Sequence, residues 1–310
     1  MRIVFFGSPF AATPSLEKLI EAGHRIELVI TQPDKLSGRG QNLAPCAVKK
    51  FAQARNLPVL QPEKIRTDPE ALEKIKVLQP DLNVVVAYGQ IIPGSIIYLP
   101  RYHSLNVHFS LLPKYRGASP VQWAILNGER KTGITIFELN EKMDEGDILS
   151  QEEVEIRPIE KAFELEERLA QKGAALLVKT ISEIDRIKPT PQNHSLATYA
   201  PKLKKEKGRI DWTQAAELIE RKVKALARWP SAFTYFRGKL TKIHEGRMVS
   251  RTALLPSPGE ILSARKEGIE VCCGEKSIYL IERLQLEDKK EIDAHAFSLG
   301  ARITPGEKFS

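Results

Sequence analysis

Residues 104–122 read SLNVHFSLLPKYRGASPVQ, and the prediction of the fold starts from this stretch. Its apolar beginning predicts a buried strand. Because successive side chains of a strand point to opposite faces, Asn106 and His108 share one face. The loop 110–113 follows, then a basic turn and a helix predicted to begin near Ser119. An amide and an imidazole side by side at a strand end suit a reacting carbonyl, since one can polarise its oxygen while the other handles a proton.

The segments around this stretch alternate between predicted strands and helices. Apolar strands are predicted at residues 2–6, 25–31, 82–87 and 105–109. This alternation predicts an α/β fold with a Rossmann-like, open and mostly parallel sheet. Such sheets bind ligands beyond the carboxyl ends of their strands, where residues 87–89 and 110–113 are expected to lie. The first turn, Gly7-Ser8-Pro9, matches neither a dinucleotide fingerprint nor a Walker loop, so no nucleotide cofactor is expected.

The composition changes after the first α/β part. Residues 190–208 are polar, basic and punctuated by prolines, which predicts a linker. Several short strands separated by turns follow in residues 209–310, a pattern typical of a small β-barrel of the oligonucleotide-binding type. The sequence therefore predicts a catalytic domain at residues 1–189, a linker at 190–208 and a C-terminal barrel at 209–310.

The net charge of +8 is concentrated in the C-terminal part. Residues 190–310 contain 22 Lys and Arg against 15 Asp and Glu, so they carry +7 of the total. A basic module beside a nearly neutral one indicates a polyanionic partner, most often a nucleic acid, although a basic surface can also serve solubility alone.

Other features of the sequence narrow the class of protein. The three cysteines (Cys46, Cys272 and Cys273) form no disulfide framework, which is typical of a reducing, cytoplasmic protein. No cysteine or histidine pair has metal-ligand spacing, so no metal is expected. Apolar runs fall short of the roughly 20 residues that a membrane span needs, so no membrane partner is expected. We expect a monomer.

Seven segments resemble the formyltransferases that use 10-formyltetrahydrofolate. They are FFGSPFAA (5–12), TQPDKLSGRG (31–40), VVVAYGQIIP (84–93), LNVHFSLLPKYRGASPVQ (105–122), MDEGDIL (143–149), ATYAPKLKKEKGRIDW (197–212) and WPSAFTYF (229–236). The Asn-x-His and SLLP-x-x-RG patterns are typical of the whole class. The last two segments resemble the branch that formylates methionyl-tRNA.

The resemblance implies a function for particular residues. Asn106, His108 and Asp144 are expected to be catalytic in formyl transfer from 10-formyltetrahydrofolate to initiator methionyl-tRNA, with neither metal nor nucleotide. The residues expected to hold the folate are Ser110, Leu111, Leu112, Pro113, Ala87, Tyr88, Gly89, Gln90, Ile91 and Ile92. Those expected to contact tRNA are Arg39, Lys35, Lys204, Lys205, Lys207 and Arg209.

Several alternatives remain open at this level. Asp147 follows Asp144 closely and could take its role, although the place of Asp144 in the motif favours it. An aspartate before a glycine is also typical of a plain turn, and a histidine in a strand often has only a structural partner. Two other functions are compatible: a formyltransferase for an amino sugar nucleotide, and a non-catalytic RNA-binding protein.

Overall fold

The computed structural model describes residues 1–37, 42–249 and 257–310. The strands are β1 (Arg2–Gly7), β2 (Arg25–Ile30), β3 (Lys35–Ser37), β4 (Asn42–Ala44), β5 (Val59–Leu60), β6 (Leu82–Val86), β7 (Ser104–His108), β8 (Lys131–Glu138), β9 (Ile148–Glu155), β10 (Ala232–Phe236), β11 (Lys239–Val249), β12 (Ile261–Arg265), β13 (Gly268–Cys272), β14 (Ile278–Leu286) and β15 (Ile292–Asp293). The helices are α1 (Thr13–Glu21), α2 (Ala47–Ala54), α3 (Pro69–Leu78), α4 (Gly94–Ile97), α5 (Pro120–Leu126), α6 (Ala162–Ser182), α7 (Ala216–Ala225) and α8 (Ala294–Ala301).

The chain divides into two compact units. The first unit comprises residues 1–120, 131–155 and 166–201, and the second comprises residues 121–130, 156–165 and 202–310. The chain leaves the first unit after Pro201, which lies inside the range predicted to be a linker. In the described part of the chain, no helix is both long and apolar enough to cross a membrane.

A seven-stranded sheet forms the centre of the first unit, in the order β5-β2-β1-β6-β7-β8-β9. The strands from β5 to β7 are parallel, whereas β8 and β9 are antiparallel to their neighbours. From β1 the chain builds outward through β2 to β5, then crosses over to β6 and β7. The strand order therefore reverses between β1 and β6, which is where open α/β sheets bind their ligands. The predicted open, mostly parallel sheet is confirmed.

Burial and capping explain the elements that position this sheet. All five residues of β6 are buried, as expected for a parallel strand covered on both faces. Its neighbour α3 begins at Pro69, and the Asp68 carboxylate caps the helix by accepting the Ala71 amide at 3.0 Å. Ile75 of α3 and Ile96 of α4 then pack with Phe6 of β1 in one apolar core.

The second unit is built on an antiparallel sheet in the order β10-β11-β14-β13-β12, with β15 beside β14. Residues 306–310 join its two outer strands. The Ile261 amide donates to the Glu307 carbonyl at 2.8 Å, and the Phe309 amide donates to the Gly259 carbonyl at 2.9 Å. On the other side, Tyr235 and Ser310 exchange two main-chain hydrogen bonds of 2.9 Å. The sheet is thereby closed into the small barrel that the sequence predicted.

Aromatic side chains fill the barrel. Phe309, Trp212, Tyr279 and Phe236 are all buried in one core, together with apolar residues of α7 and α8. The Phe309 ring lies 5.2 Å from the Phe236 ring and 5.9 Å from the Trp212 ring, centroid to centroid. The closing segment thus contributes both hydrogen bonds and a central side chain.

The two adjacent cysteines also lie in this unit, and both are buried. Burial raises the pKa of the Cys273 thiol to about 12 and also raises the pKa of the Cys272 thiol. Both thiols therefore remain protonated at neutral pH, where a thiol is a weak nucleophile.

Replacing Phe309 by alanine should destabilise the second unit by about 3–5 kcal/mol, because it removes a fully packed aromatic ring. Urea unfolding followed by tryptophan fluorescence measures this, since Trp123, Trp212 and Trp229 all belong to that unit. Leu299→Ala, on an exposed position of α8, is the matched control and should change the stability by less than about 0.5 kcal/mol. Equal effects of the two substitutions would show that residues 306–310 do not close the barrel.

Candidate active site

His108 is the last residue of β7, and each nitrogen of its ring faces an oxygen atom from another loop. The ring is 7% exposed, and Nε2 lies 3.0 Å from the main-chain carbonyl oxygen of Tyr115. A carbonyl oxygen can only accept a hydrogen bond, so Nε2 carries a proton and donates it. In a neutral ring the lone pair is therefore on Nδ1.

Asp144 faces that second nitrogen. Its Oδ2 atom lies 3.8 Å from His108 Nδ1 and accepts the main-chain N–H of Gly117 at 2.7 Å. The gap to Nδ1 is too long for a direct hydrogen bond, but a small polar group can approach both atoms. The carboxylate therefore lies beside the imidazole without bonding to it directly.

The turn carrying Asp144 is fixed by close backbone packing. Asp144 itself has φ of +54°. A Cβ at Gly146 would lie 1.6 Å from the Glu138 carbonyl oxygen, so only glycine fits there. The adjacent Glu138 amide donates to the Asp147 carbonyl at 2.9 Å, which ties the turn to the end of β8.

The second carboxylate of the motif belongs to Asp147. Burial raises the pKa of Glu138, and Asp147 adds a smaller upward contribution. Among the ion pairs of the described residues, the partner of His108 is Asp144.

Asn106 lies two residues before His108 on the same strand and is half-buried. Its main chain pairs with Val85 on β6 and Phe137 on β8. In the ranges that the structure describes, its side-chain amide makes no hydrogen bond. A half-buried amide at a strand end with free donors is suited to stabilise negative charge on a substrate oxygen.

The loop 110–113 is held by two residues that the sequence reading missed. Thr135 Oγ1 donates to the Ser110 carbonyl at 2.7 Å and accepts the Leu112 amide at 3.1 Å. Gln151 Nε2 donates to the Leu112 carbonyl and to Thr135 Oγ1, both at 2.9 Å. A threonine and a glutamine on facing strands carry no motif, so only the sheet register could reveal this role.

Residues 113–119 are held by the end of the first unit. The Tyr115 amide donates to Thr198 Oγ1 and the Arg116 amide donates to the Thr198 carbonyl, both at 2.9 Å. The Ala200 amide returns a hydrogen bond of 2.7 Å to the Arg116 carbonyl. The conformation that aims the Tyr115 carbonyl at His108 thus depends on residues from the range predicted to be a linker.

The ten residues predicted to hold folate fall into two groups. Ala87, Gly89 and Ile91 are exposed beyond the end of β6, and Leu111, Pro113 and Gln90 are half-buried. Side chains of the other four are buried: Tyr88, Ile92, Leu112 and Ser110. Tyr88 packs edge-on against Phe6 in the core, at 5.5 Å between ring centroids. These buried residues can meet a ligand only through their main chain, whereas the exposed Ile91 offers an apolar face that fits a flat pterin.

The residues predicted to contact tRNA are distributed between the two units. Lys35 is exposed on β3, and Arg39 lies outside the described residues. Lys204, Lys205, Lys207 and Arg209 are exposed in the second unit.

Two basic side chains near these residues, Lys207 and Lys222, contact neighbouring groups. The Lys207 ammonium lies 4.7 Å from the centre of the Trp123 ring. Burial, and secondarily Lys207, lowers the pKa of Lys222, whose ammonium donates to the Arg209 carbonyl at 2.7 Å. In the described residues, no cluster of three or more His, Cys, Asp or Glu could hold a metal.

In the first unit, which is built on an open α/β sheet, an amide and an imidazole at the end of β7 lie near the Asp144 carboxylate, and such a set of groups suits chemistry at a carbonyl carbon. Sequence comparison names the family. The Formyl transferase profile matches residues 1–181, and the profile of the Formyl transferase C-terminal domain matches residues 202–302. The chain belongs to the formyl transferase family, which confirms the resemblance noted in the sequence.

Full-length relatives are similar over both units. A methionyl-tRNA formyltransferase of Alkaliphilus oremlandii is 46% identical over 99% of this chain and 98% of the relative. Those of Geobacter sulfurreducens and Citrifermentans bemidjiense are each 44% identical over 99% of this chain and 96% and 95% of the relatives, respectively.

Solved structures share the fold at lower identity. HypX from Aquifex aeolicus in complex with tetrahydrofolic acid is 21% identical, with a TM-score of 0.60 over 96% of this chain and 47% of that chain. An N-formyltransferase from Helicobacter canadensis, in complex with folinic acid and dTDP-3-aminofucose, is 17% identical. Its TM-score is 0.64, and the match covers 90% of this chain and 98% of that chain. These likenesses confirm the fold class of the chain.

Replacing Gly146 by alanine should displace the Asp144 turn, because the new methyl group meets a backbone oxygen that cannot move aside. We expect a loss of about 1–3 kcal/mol in unfolding free energy and faster hydrogen exchange in peptides covering residues 138–147, measured by mass spectrometry. Gly300→Ala, at a helical position with open space around it, should leave the exchange unchanged and should not lower the unfolding free energy, because alanine favours a helix. Unaltered exchange in the Gly146 variant would contradict this account of the turn.

Proposed function

We propose that this chain transfers the formyl group of 10-formyltetrahydrofolate to the α-amine of methionyl-tRNA, the initiator form in particular. The observation that supports the chemistry is the free amide of Asn106 next to the His108–Asp144 pair at the end of β7. The choice of acceptor is supported by the full-length identity to methionyl-tRNA formyltransferases. The products are N-formylmethionyl-tRNA and tetrahydrofolate.

Asn106 stabilises the charge that develops in this reaction. The folate cosubstrate supplies the formyl carbon, which the neutral amine attacks. The carbonyl oxygen becomes negative as the tetrahedral intermediate forms. The Asn106 amide is half-buried and not committed to another group, so it can donate to that oxygen without first breaking a protein hydrogen bond.

His108 and Asp144 handle the proton that leaves the amine. Because Nε2 donates to the Tyr115 carbonyl, Nδ1 is the ring nitrogen that can accept a proton. Asp144 lies 3.8 Å from Nδ1 and stabilises the resulting imidazolium. The same proton can then return to the departing N10 as the bond between N10 and the formyl carbon breaks.

The two units have different roles in this proposal. The first carries the transfer site, and the second offers exposed Lys204, Lys205, Lys207 and Arg209, which precede its barrel strands, to tRNA phosphates. The division into residues 1–189, 190–208 and 209–310 stays a prediction. We place the reaction in the cytoplasm and assign it to a monomer.

Asn106→Ala should lower kcat for formylation of methionyl-tRNA about 10²–10³-fold, because one preorganised donor to the transition state is lost. Single-turnover assays with purified protein, charged initiator tRNA and 10-formyltetrahydrofolate measure it. Gln53→Ala, at an exposed position of α2, is the control and should behave as the wild type. An Asn106 variant with near-normal turnover would refute this site.

The affinity for methionyl-tRNA should fall steeply as salt is raised from about 50 to 200 mM, since each phosphate contact releases counterions. The KM for folate should change little over the same range. Lys205→Ala should reduce the slope of log affinity against log salt by about 0.7–0.9.

This experiment also separates the alternatives. A formyltransferase for an amino sugar nucleotide would accept that substrate and show no steep salt dependence. A non-catalytic RNA-binding protein would bind tRNA with the same salt slope but would not consume 10-formyltetrahydrofolate.

A further inference from the structure

A buried glutamine outside all of the recognised motifs connects the two loops that hold His108. Gln192 is 5% exposed and belongs to the first unit. Its Nε2 atom donates to the main-chain carbonyls of Asp144 at 2.9 Å and Gly146 at 2.7 Å. Its Oε1 atom accepts from Arg116 Nη2 at 2.7 Å and from Nε at 3.2 Å.

The chemistry of these partners allows only one orientation of the amide. A guanidinium can only donate and a carbonyl can only accept, so Oε1 must face Arg116 and Nε2 must face the turn. Both amide protons and both lone pairs of Oε1 are used. No other uncharged side chain of this length offers two donors and two acceptors at its end.

Arg116 extends this connection. It is 1% exposed, and its Nη1 atom forms an ion pair of 3.2 Å with Glu145, the residue after Asp144. Nη2 also lies 3.1 Å from Nδ1 of His194. In the sequence Arg116 belongs to a basic turn, whereas in the structure it is buried and its charge is used inside the first unit.

The two loops joined in this way are the two that contact His108. One loop presents the Tyr115 carbonyl to Nε2 and the Gly117 amide to Asp144. The other is the turn that carries Asp144. Gln192 contacts neither His108 nor the Asp144 carboxylate directly, yet it holds the Asp144 main chain at a fixed distance from Arg116.

We propose that Gln192 is a positioning residue for the Asp144 carboxylate, and that it keeps this group in place between Gly117 and His108. The effect of Gln192 on catalysis rests on the proposed function, whereas its effect on the position of Asp144 does not. A shift of the turn by about 1 Å is enough to lower a rate about 10²-fold.

Gln192→Glu is the informative variant. The carboxylate can still pair with Arg116, but it has no proton to donate to the two carbonyls of the turn, and it repels them. We expect kcat to fall about 10–100-fold, with the KM values for folate and tRNA within about twofold of the wild type. Gln171→Glu makes the same chemical change at an exposed position of α6 and should have no effect.

A double-mutant cycle with Asp144→Ala separates positioning from general damage. If Gln192 acts through Asp144, Gln192→Glu should cause no further loss of kcat once the carboxylate is gone. Multiplicative losses would overturn the proposal. Gln192→Asn, one methylene shorter, cannot reach both sides and should give a smaller loss in the same cycle. It replaces Gln192→Glu if that variant does not fold.

A second readout does not depend on activity. In NMR spectra, the Gly117 amide proton reports the charge-assisted hydrogen bond to Asp144 Oδ2. In Gln192→Glu or Gln192→Asn its chemical shift should move toward that of Asp144→Ala, while Gln171→Glu leaves it in place. An unchanged Gly117 signal in both Gln192 variants would overturn the proposal. A wild-type protein that fails to formylate methionyl-tRNA would refute the proposed function, and the NMR measurement would still decide the position of Asp144.

Discussion

The imidazole of His108 is fixed between a carbonyl oxygen and a carboxylate, and the candidate site depends on this arrangement. The Tyr115 carbonyl determines which nitrogen carries the proton, and the Asp144 carboxylate lies 3.8 Å from the other nitrogen. Neither partner lies on the strand that carries His108. The site therefore depends on loops that must be held together. Buried polar residues supply hydrogen bonds that hold these loops.

Those buried residues share one physical requirement. A polar group out of reach of water must find a partner inside the protein, and Thr135 and Gln192 each satisfy two main-chain groups. Asn106 differs, because in the described ranges its amide has no protein partner. A rigid, fully bonded surrounding with one free donor is the arrangement that stabilises a transient oxyanion without reorganisation.

The second unit obeys a different constraint. An open antiparallel sheet has two unpaired edges, and closure into a barrel removes them. Here residues 306–310 complete the closure, so the strand pairing and the aromatic core both depend on a segment far in sequence from β10 and β12. The exposed residues Lys204, Lys205, Lys207 and Arg209 belong to the same unit.

The sequence alone determined the class of fold, because apolar strands alternating with helices can bury their faces only in a layered α/β arrangement. It also placed Asn106 and His108 on one face, since the period of a strand is two residues. The motif favoured Asp144 over Asp147, yet no local rule could bring that carboxylate to His108. Distances between remote segments are set by packing and main-chain hydrogen bonds, which only the tertiary structure contains. For the same reason the sequence did not reveal the buried roles of Arg116 and Gln192. In the sequence, Arg116 belongs to a basic turn and Gln192 to the predicted linker.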